Sequence, residues 1–190
     1  MSIFNIVIAG VGGQGVLMAS KVLAESALAG GMDVKQNEVH GMAQRGGSVI
    51  SFVRIGKEVY SPVVVPGSAD ILISFEPLEA LRYLHYLKPG GKLVYNRVTI
   101  NPSTVAAGLA KYPADVEEQI AKGCANAQGI DALSIAKKAG NAKAVNMVMV
   151  GAVVKSLPLD AQIVEAVVRE LSRDKGLEVN LKALAGGAAA

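Results

Sequence analysis

A single cysteine, no tryptophan and an aromatic share of only 4% set the first limits on this chain. Cys124, being alone, excludes an internal disulfide, a Cys-x-x-Cys redox centre and any iron–sulfur cluster held by this chain by itself. It reads as a small buried or half-buried filler. The two histidines, His40 and His85, stand far apart with no carboxylate cluster at ligand spacing, so there is nothing from which to assemble a metal site. Lys and Arg are scattered singly among acids for a formal charge of +3, which excludes the basic stripe of a nucleic-acid binder. The longest apolar run, from Met147 to Val154, is too short to span a bilayer, and the N-terminus shows neither a charged leader nor a cleavage site. The expectation is a cytoplasmic protein that meets no membrane and no nucleic acid. What is abundant is small and apolar: 51% hydrophobic residues over 190 positions predict one domain, 1–190, with a core of Val, Ile, Leu, Ala and Met.

The chain is organised around Ile6-Val7-Ile8-Ala9-Gly10-Val11-Gly12-Gly13-Gln14-Gly15-Val16-Leu17. An apolar run ends on glycines and passes into apolar residues at helical spacing, the pattern of a buried strand, a tight turn and a helix over about residues 13–29. Gly10, Gly12 and Gly15 fit G-x-G-x-x-G, in which glycine serves to turn sharply, to admit a ligand to the backbone and to pack helix on strand. The free N–H groups and dipole at the start of such a helix attract a phosphate or carboxylate. A turn that only packs a helix on a sheet would carry the same glycines.

Residues 34–39 read as a second strand, followed by the polar, glycine-rich Glu38-Val39-His40-Gly41-Met42-Ala43-Gln44-Arg45-Gly46-Gly47. Residues 48–55 and 58–65 alternate around Gly56-Lys57, a hairpin signal, with Pro62 and Pro66 marking an edge strand. An antiparallel ribbon here stands where a dinucleotide fold has its second crossover helix. The expected fold is therefore α/β, a three-layer Rossmann-like mixed sheet with an inserted antiparallel hairpin. Strands at 69–75 and 92–95 enclose a helix opened by Glu76-Pro77, while 97–113 defies assignment. The rest is a helical C-terminal part: 116–125, 132–139, a segment 142–156 apolar on nearly every face, and an amphipathic 160–173 capped by Asp160. The tail, Gly186-Gly187-Ala188-Ala189-Ala190, is expected to fray unless a partner holds it.

Ligands of open α/β sheets lie beyond the carboxyl ends of the parallel strands. Gly12-Gly13-Gln14, the segment from Glu38 to Gly47, Ser74 with Glu76, and Asn96 would meet there. Glu76 reads equally as a helix-start charge and Asn96 as a turn residue. His40 and Arg45, an imidazole and a guanidinium on a glycine-flexible loop, suit an anion or an acidic partner surface, although a lone loop histidine is more often structural. Glu38, 23 residues after Gly15, formally completes an NAD fingerprint. The loop and hairpin that follow remove the second nucleotide-binding half.

Taken together, Gly10-Val11-Gly12-Gly13-Gln14-Gly15, the run from Glu38 to Val49 and Phe75-Glu76-Pro77-Leu78-Glu79-Ala80-Leu81 resemble the gamma-type subunits of the 2-oxoacid:ferredoxin oxidoreductases, most closely the small beta subunits of indolepyruvate ferredoxin oxidoreductases. The resemblance is strong over about residues 3–100 and looser beyond. It implies an accessory subunit, inactive alone, of a complex that decarboxylates a 2-oxoacid such as an aryl pyruvate on thiamine diphosphate and yields acyl-coenzyme A, CO2 and reduced ferredoxin. Thiamine diphosphate, magnesium and the iron–sulfur clusters would belong to a large catalytic partner, since this chain shows no Gly-Asp-Gly diphosphate motif and has one cysteine. The candidate contacts are Gly10, Gly12, Gly13, Gln14, Gly15, Glu38, His40, Gln44, Arg45, Glu76 and Asn96, with coenzyme A admitted at the interface. A free-standing nucleotide-binding or regulatory module is the alternative.

Overall fold

Ile6, Val7, Ile8 and Ala9 are all fully buried, which consecutive strand residues achieve only inside a sheet covered on both faces. In the computed structural model, which describes residues 2–40, 46–172 and 176–190, they form β1 (Phe4–Val11) at the centre of a mixed six-stranded sheet. The order is β2 (Asp33–His40), β3 (Ser48–Gly56), β1, β4 (Ala69–Ser74), β5 (Leu87–Asn96), β6 (Ala127–Ile130). β1, β4, β5 and β6 are parallel neighbours, while β3 runs antiparallel to both β1 and β2. β2 therefore points the same way as β1, and its carboxyl end reaches the same edge of the sheet.

The alternation of side chains sorts the core into two layers. Ile6, Ile8, Val53, Ile71, Ile73 and Val94 face a layer built from α1 (Val16–Ala29), α5 (Ala132–Ala139), α6 (Val145–Val154), α7 (Ala161–Leu171) and α8 (Leu177–Ala188). Val7, Ala9, Phe52, Leu72 and Leu93 face α2 (Pro77–Tyr83) and α4 (Val116–Gly123). The expected three layers and mixed sheet are present, with an antiparallel ribbon beside β1. α6 is buried on nearly all sides, and Asp160 caps α7 by accepting from the Gln162 N–H at 2.8 Å.

Several local expectations need correction. The hairpin is β2–β3, not 48–55 with 58–65. β3 already has β1 on one edge and β2 on the other, so residues 58–65 have no ladder to join. They are held by side chains instead: Val59 N–H donates to Asp33 Oδ2 at 2.7 Å, and Arg54 Nη1 donates to the Ser61 carbonyl at 2.7 Å. α1 starts at Val16 rather than Gly13, because Gly13 and Gly15 have φ of 102° and 86°, outside the right-handed helical region. β6, four residues with a glycine inside, carries too little pattern to be read from sequence. The segment 97–113 includes a short helix, α3 (Ser103–Ala106), and His85 lies in a single 3-10 turn (Leu84–Tyr86). The tail does not fray. α8 runs to Ala188 against α6, where Gly151 and Gly187 let the backbones touch: a Cβ at either would lie 2.0 Å from a carbonyl oxygen of the facing helix.

Candidate functional site at the carboxyl edge of the sheet

The glycine turn divides its roles among its residues. Gly10 serves packing, since a Cβ there would meet Val16 Cγ2 at 2.8 Å and Phe75 Cβ at 3.0 Å. Gly13 and Gly15 supply the left-handed conformations of the turn, closed by the Gln14 N–H on the Val11 carbonyl at 3.1 Å. The Gly12 N–H donates to the Gly47 carbonyl at 2.9 Å, which ties the start of β3 to the turn. Gln14 clasps two strand ends: its Oε1 accepts from the Val11 N–H at 2.7 Å and its Nε2 donates to the Phe75 carbonyl at 2.9 Å.

A cleft of about 500 Å³ opens between this turn, the first turns of α1 and Val49 of β3. α1 has no side-chain N-cap and no acid in its first turn, so its leading N–H groups and dipole are not neutralised there. Lys21, which also lines the cleft, has no ion-pair partner among the described residues. Leu17 and Met18, each about two-fifths exposed, add an apolar wall. An uncapped helix start, a cation and an apolar wall suit a phosphate attached to a less polar body.

The other predicted residues fall into three groups. Glu38 does not line this cleft; its Oε1 accepts from Gln36 Nε2 at 3.0 Å, and β3 separates its strand from β1. His40 ends β2 opposite Val49, and only its backbone is described. Gln44 and Arg45 lie outside the described residues.

Glu76 and Asn96 reach the edge but are occupied there. Glu76 is 1% exposed; its Oε2 caps α2 by accepting from the Glu79 N–H at 3.0 Å, and its Oε1 accepts from Tyr112 Oη at 2.6 Å and the Ile100 N–H at 3.3 Å. Burial, and then the bond to Glu76, hold the Tyr112 hydroxyl well above the ordinary tyrosine range. Asn96 bridges three elements, with Nδ2 donating to the Phe75 carbonyl at 3.3 Å and Oδ1 accepting from the Ala132 N–H at 3.2 Å.

Sequence reasoning missed Lys21, Tyr112 and the buried Glu79. Glu79 accepts from Ser48 Oγ at the start of β3 and pairs with Arg82 Nε at 3.2 Å, while Ser48 Oγ also bonds Tyr83 Oη at 2.9 Å. The spacing Glu76-x-x-Glu79 at a helix start carried a capping signal that could have pointed to α2 as an anchor. Nothing local marks Tyr112. Among the described residues no group of three His, Cys, Asp or Glu is placed to hold a metal ion, and no helix is long and apolar enough to cross a membrane.

The family model for pyruvate ferredoxin/flavodoxin oxidoreductase matches residues 5–190. The indolepyruvate oxidoreductase subunit IorB of Pyrococcus horikoshii is 45% identical over 188 residues, 96% of this chain and 93% of that one. Among solved structures, the gamma subunit of a keto/oxoacid ferredoxin oxidoreductase from Geobacter sulfurreducens superposes with a TM-score of 0.69 at 25% identity, covering 98% of this chain and 99% of that one. The 2-oxoglutarate:ferredoxin oxidoreductase from Magnetococcus marinus, solved with 2-oxoglutarate, coenzyme A and succinyl-CoA, matches with a TM-score of 0.76 at 21% identity over all of this chain and 31% of that one.

Proposed function

Because the chain belongs to the pyruvate ferredoxin/flavodoxin oxidoreductase family, we propose that it is the small, non-autonomous subunit of a 2-oxoacid:ferredoxin oxidoreductase acting on aryl pyruvates such as indolepyruvate. The observation that carries this reading is the near end-to-end match to an IorB subunit at 45% identity. A large catalytic subunit supplies thiamine diphosphate, magnesium and the iron–sulfur clusters, and ferredoxin takes the electrons through the complex, all in the cytoplasm. The chain's own part is to cover the active site with the carboxyl edge of its sheet.

Coenzyme A is the ligand we assign to the α1 cleft. The unneutralised start of α1 and Lys21 suit a phosphate of the coenzyme, and Leu17 and Met18 suit its less polar body. Arg45, one residue before the segment tied to the turn through Gly47, would be a second phosphate ligand.

Co-expression with the large subunit tests the assembly. The expected result is co-elution on gel filtration, with turnover of 2-oxoacid, coenzyme A and ferredoxin by the complex and none by the isolated chain. Turnover by this chain alone, with thiamine diphosphate and magnesium added, would overthrow the accessory role. Failure to associate would favour a free-standing module.

A further inference from the structure

A second cavity, of about 190 Å³, lies at the same edge between the carboxyl ends of β1 and β5 and the starts of α5 and α6. Gln14 and Asn96 line it. Both give one hydrogen to the Phe75 carbonyl, and both have their oxygen engaged by a backbone N–H, of Val11 and of Ala132. Each amide nitrogen thus keeps a second hydrogen with no partner among the described residues. Val98, Ile100, Leu133 and Val145 make apolar walls, and Lys143, exposed and without an ion-pair partner among the described residues, stands at the rim. Among the described residues no carboxylate lines the cavity.

Unused donors, a cation and apolar walls without an acid select a ligand with an anionic acceptor head and an apolar body. The volume is below the roughly 300–1,000 Å³ of sites for drug-sized ligands, which excludes a dinucleotide or an entire coenzyme A. The geometry points to a site for a small carboxylic acid with an apolar side chain, its carboxylate between the two carboxamides and Lys143 and its side chain against Val98, Ile100 and Leu133. The site is distinct from the α1 cleft, from which it differs in every lining residue but Gly13, and it does not rest on the coenzyme A assignment. One such acid could be a 2-oxoacid or the simple acid without its keto group. The shared chemistry is the same, and the keto oxygen adds one acceptor for the second carboxamide.

The test is titration of the 15N-labelled full chain with phenylpyruvate and phenylacetate, with acetate and phenethyl alcohol as controls for the head and the body taken singly. Saturable shifts are expected at Gly13, Ile100 and the side-chain amides of Gln14 and Asn96. Lys143→Ala should weaken binding roughly tenfold, the loss expected for one charge-assisted hydrogen bond. Val98→Phe should fill the cavity and abolish binding while the spectrum stays dispersed. Tighter binding of phenylpyruvate identifies the keto acid as the better ligand, and equal binding identifies the plain carboxylate; either supports the site. No saturation by roughly 10 mM, an equal response to phenethyl alcohol or acetate, shifts confined to Leu17, Met18 and Lys21, or wild-type affinity in both variants would overturn it. None of these readouts depends on turnover or on subunit assembly, so failure here leaves the accessory-subunit reading to its own test.

Discussion

Truncating Glu76 separates a structural carboxylate from a ligand-binding one. In Glu76→Ala three donors lose their acceptor: the Glu79 N–H at the start of α2, Tyr112 Oη and the Ile100 N–H. Loss of an N-cap costs about 0.5–2 kcal/mol, and loss of a hydrogen bond to a charged acceptor about 1.5–3 kcal/mol. The Ile100 bond is long at 3.3 Å and adds little. Against this stands relief of the desolvation of a carboxylate only 1% exposed. The balance is about 2–3 kcal/mol of lost stability, read by urea unfolding of the full chain. Glu76→Gln keeps one oxygen for the cap or the phenol, so it should lose about half as much. Combining Glu76→Ala with Tyr112→Phe should return a coupling of about 1–2 kcal/mol, since the second change removes a group already stranded. A loss below about 0.5 kcal/mol, or zero coupling, would refute the anchor role and return Glu76 to the candidates for direct ligand contact.

Tyr112 makes the same bond visible in pH. With its folded value raised, the unfolded chain loses the phenolic proton first, so the contribution of this group is constant at lower pH and falls as pH climbs above about 10, by at most about 1.4 kcal/mol per unit; the difference between wild type and Tyr112→Phe across an alkaline unfolding series isolates it, and a constant difference would contradict the burial-driven shift. Gly151→Ala places a Cβ 2.0 Å from the Leu184 carbonyl, a backbone atom that cannot swing aside, so thermal unfolding should show a loss at or above the usual 1–3 kcal/mol of overpacking, and a silent substitution would refute the close α6–α8 contact. Arg45→Ala, assayed in the reconstituted complex, should raise the apparent coenzyme A constant roughly ten- to a hundredfold with saturating coenzyme A recovering most of the rate; a dissociated complex would instead make Arg45 a docking residue, and no change in either would remove it from the site.

The legible parts of the molecule were those where period and burial agree. β1 declared itself because its residues are buried on both faces, and α6 because a helix apolar all round has to be internal. The hairpin was misplaced by one unit because the alternation of residues 58–65 is local, whereas the question of which edge of β3 is free is settled by β1 and β2. The same limit applies to the site. Glycines and cap residues act on near neighbours and could be read, but Gln14 bonds across 61 positions to Phe75 and Glu76 across 36 to Tyr112. The tail failed for a related reason: Gly186-Gly187 looks like a helix stop until the facing backbone of α6 makes small residues a packing requirement.

The register that displaced the hairpin also decides whether the glycine turn can hold NAD. In a dinucleotide fold the acid at the end of the second strand reaches the ribose because that strand neighbours the first. Here β3 lies between them, so β2 stands two strand spacings from β1, about 10 Å instead of about 5 Å. Glu38 is carried away with it and bonds Gln36 instead. A pyrophosphate can still meet the start of α1 and Lys21, but the adenosine ribose finds no acid on the neighbouring strand, because that strand is antiparallel and begins at this edge with Ser48, whose hydroxyl is engaged by Glu79 and Tyr83. The expected result by calorimetry on the full chain is binding of NAD and NADP no tighter than about 100 μM, with Lys21→Ala weakening whatever remains because the pyrophosphate contact is all that holds it. A low-micromolar dissociation constant that survives Lys21→Ala would mean that the ribose is recognised after all, and the inserted strand would then not have dismantled the nucleotide site.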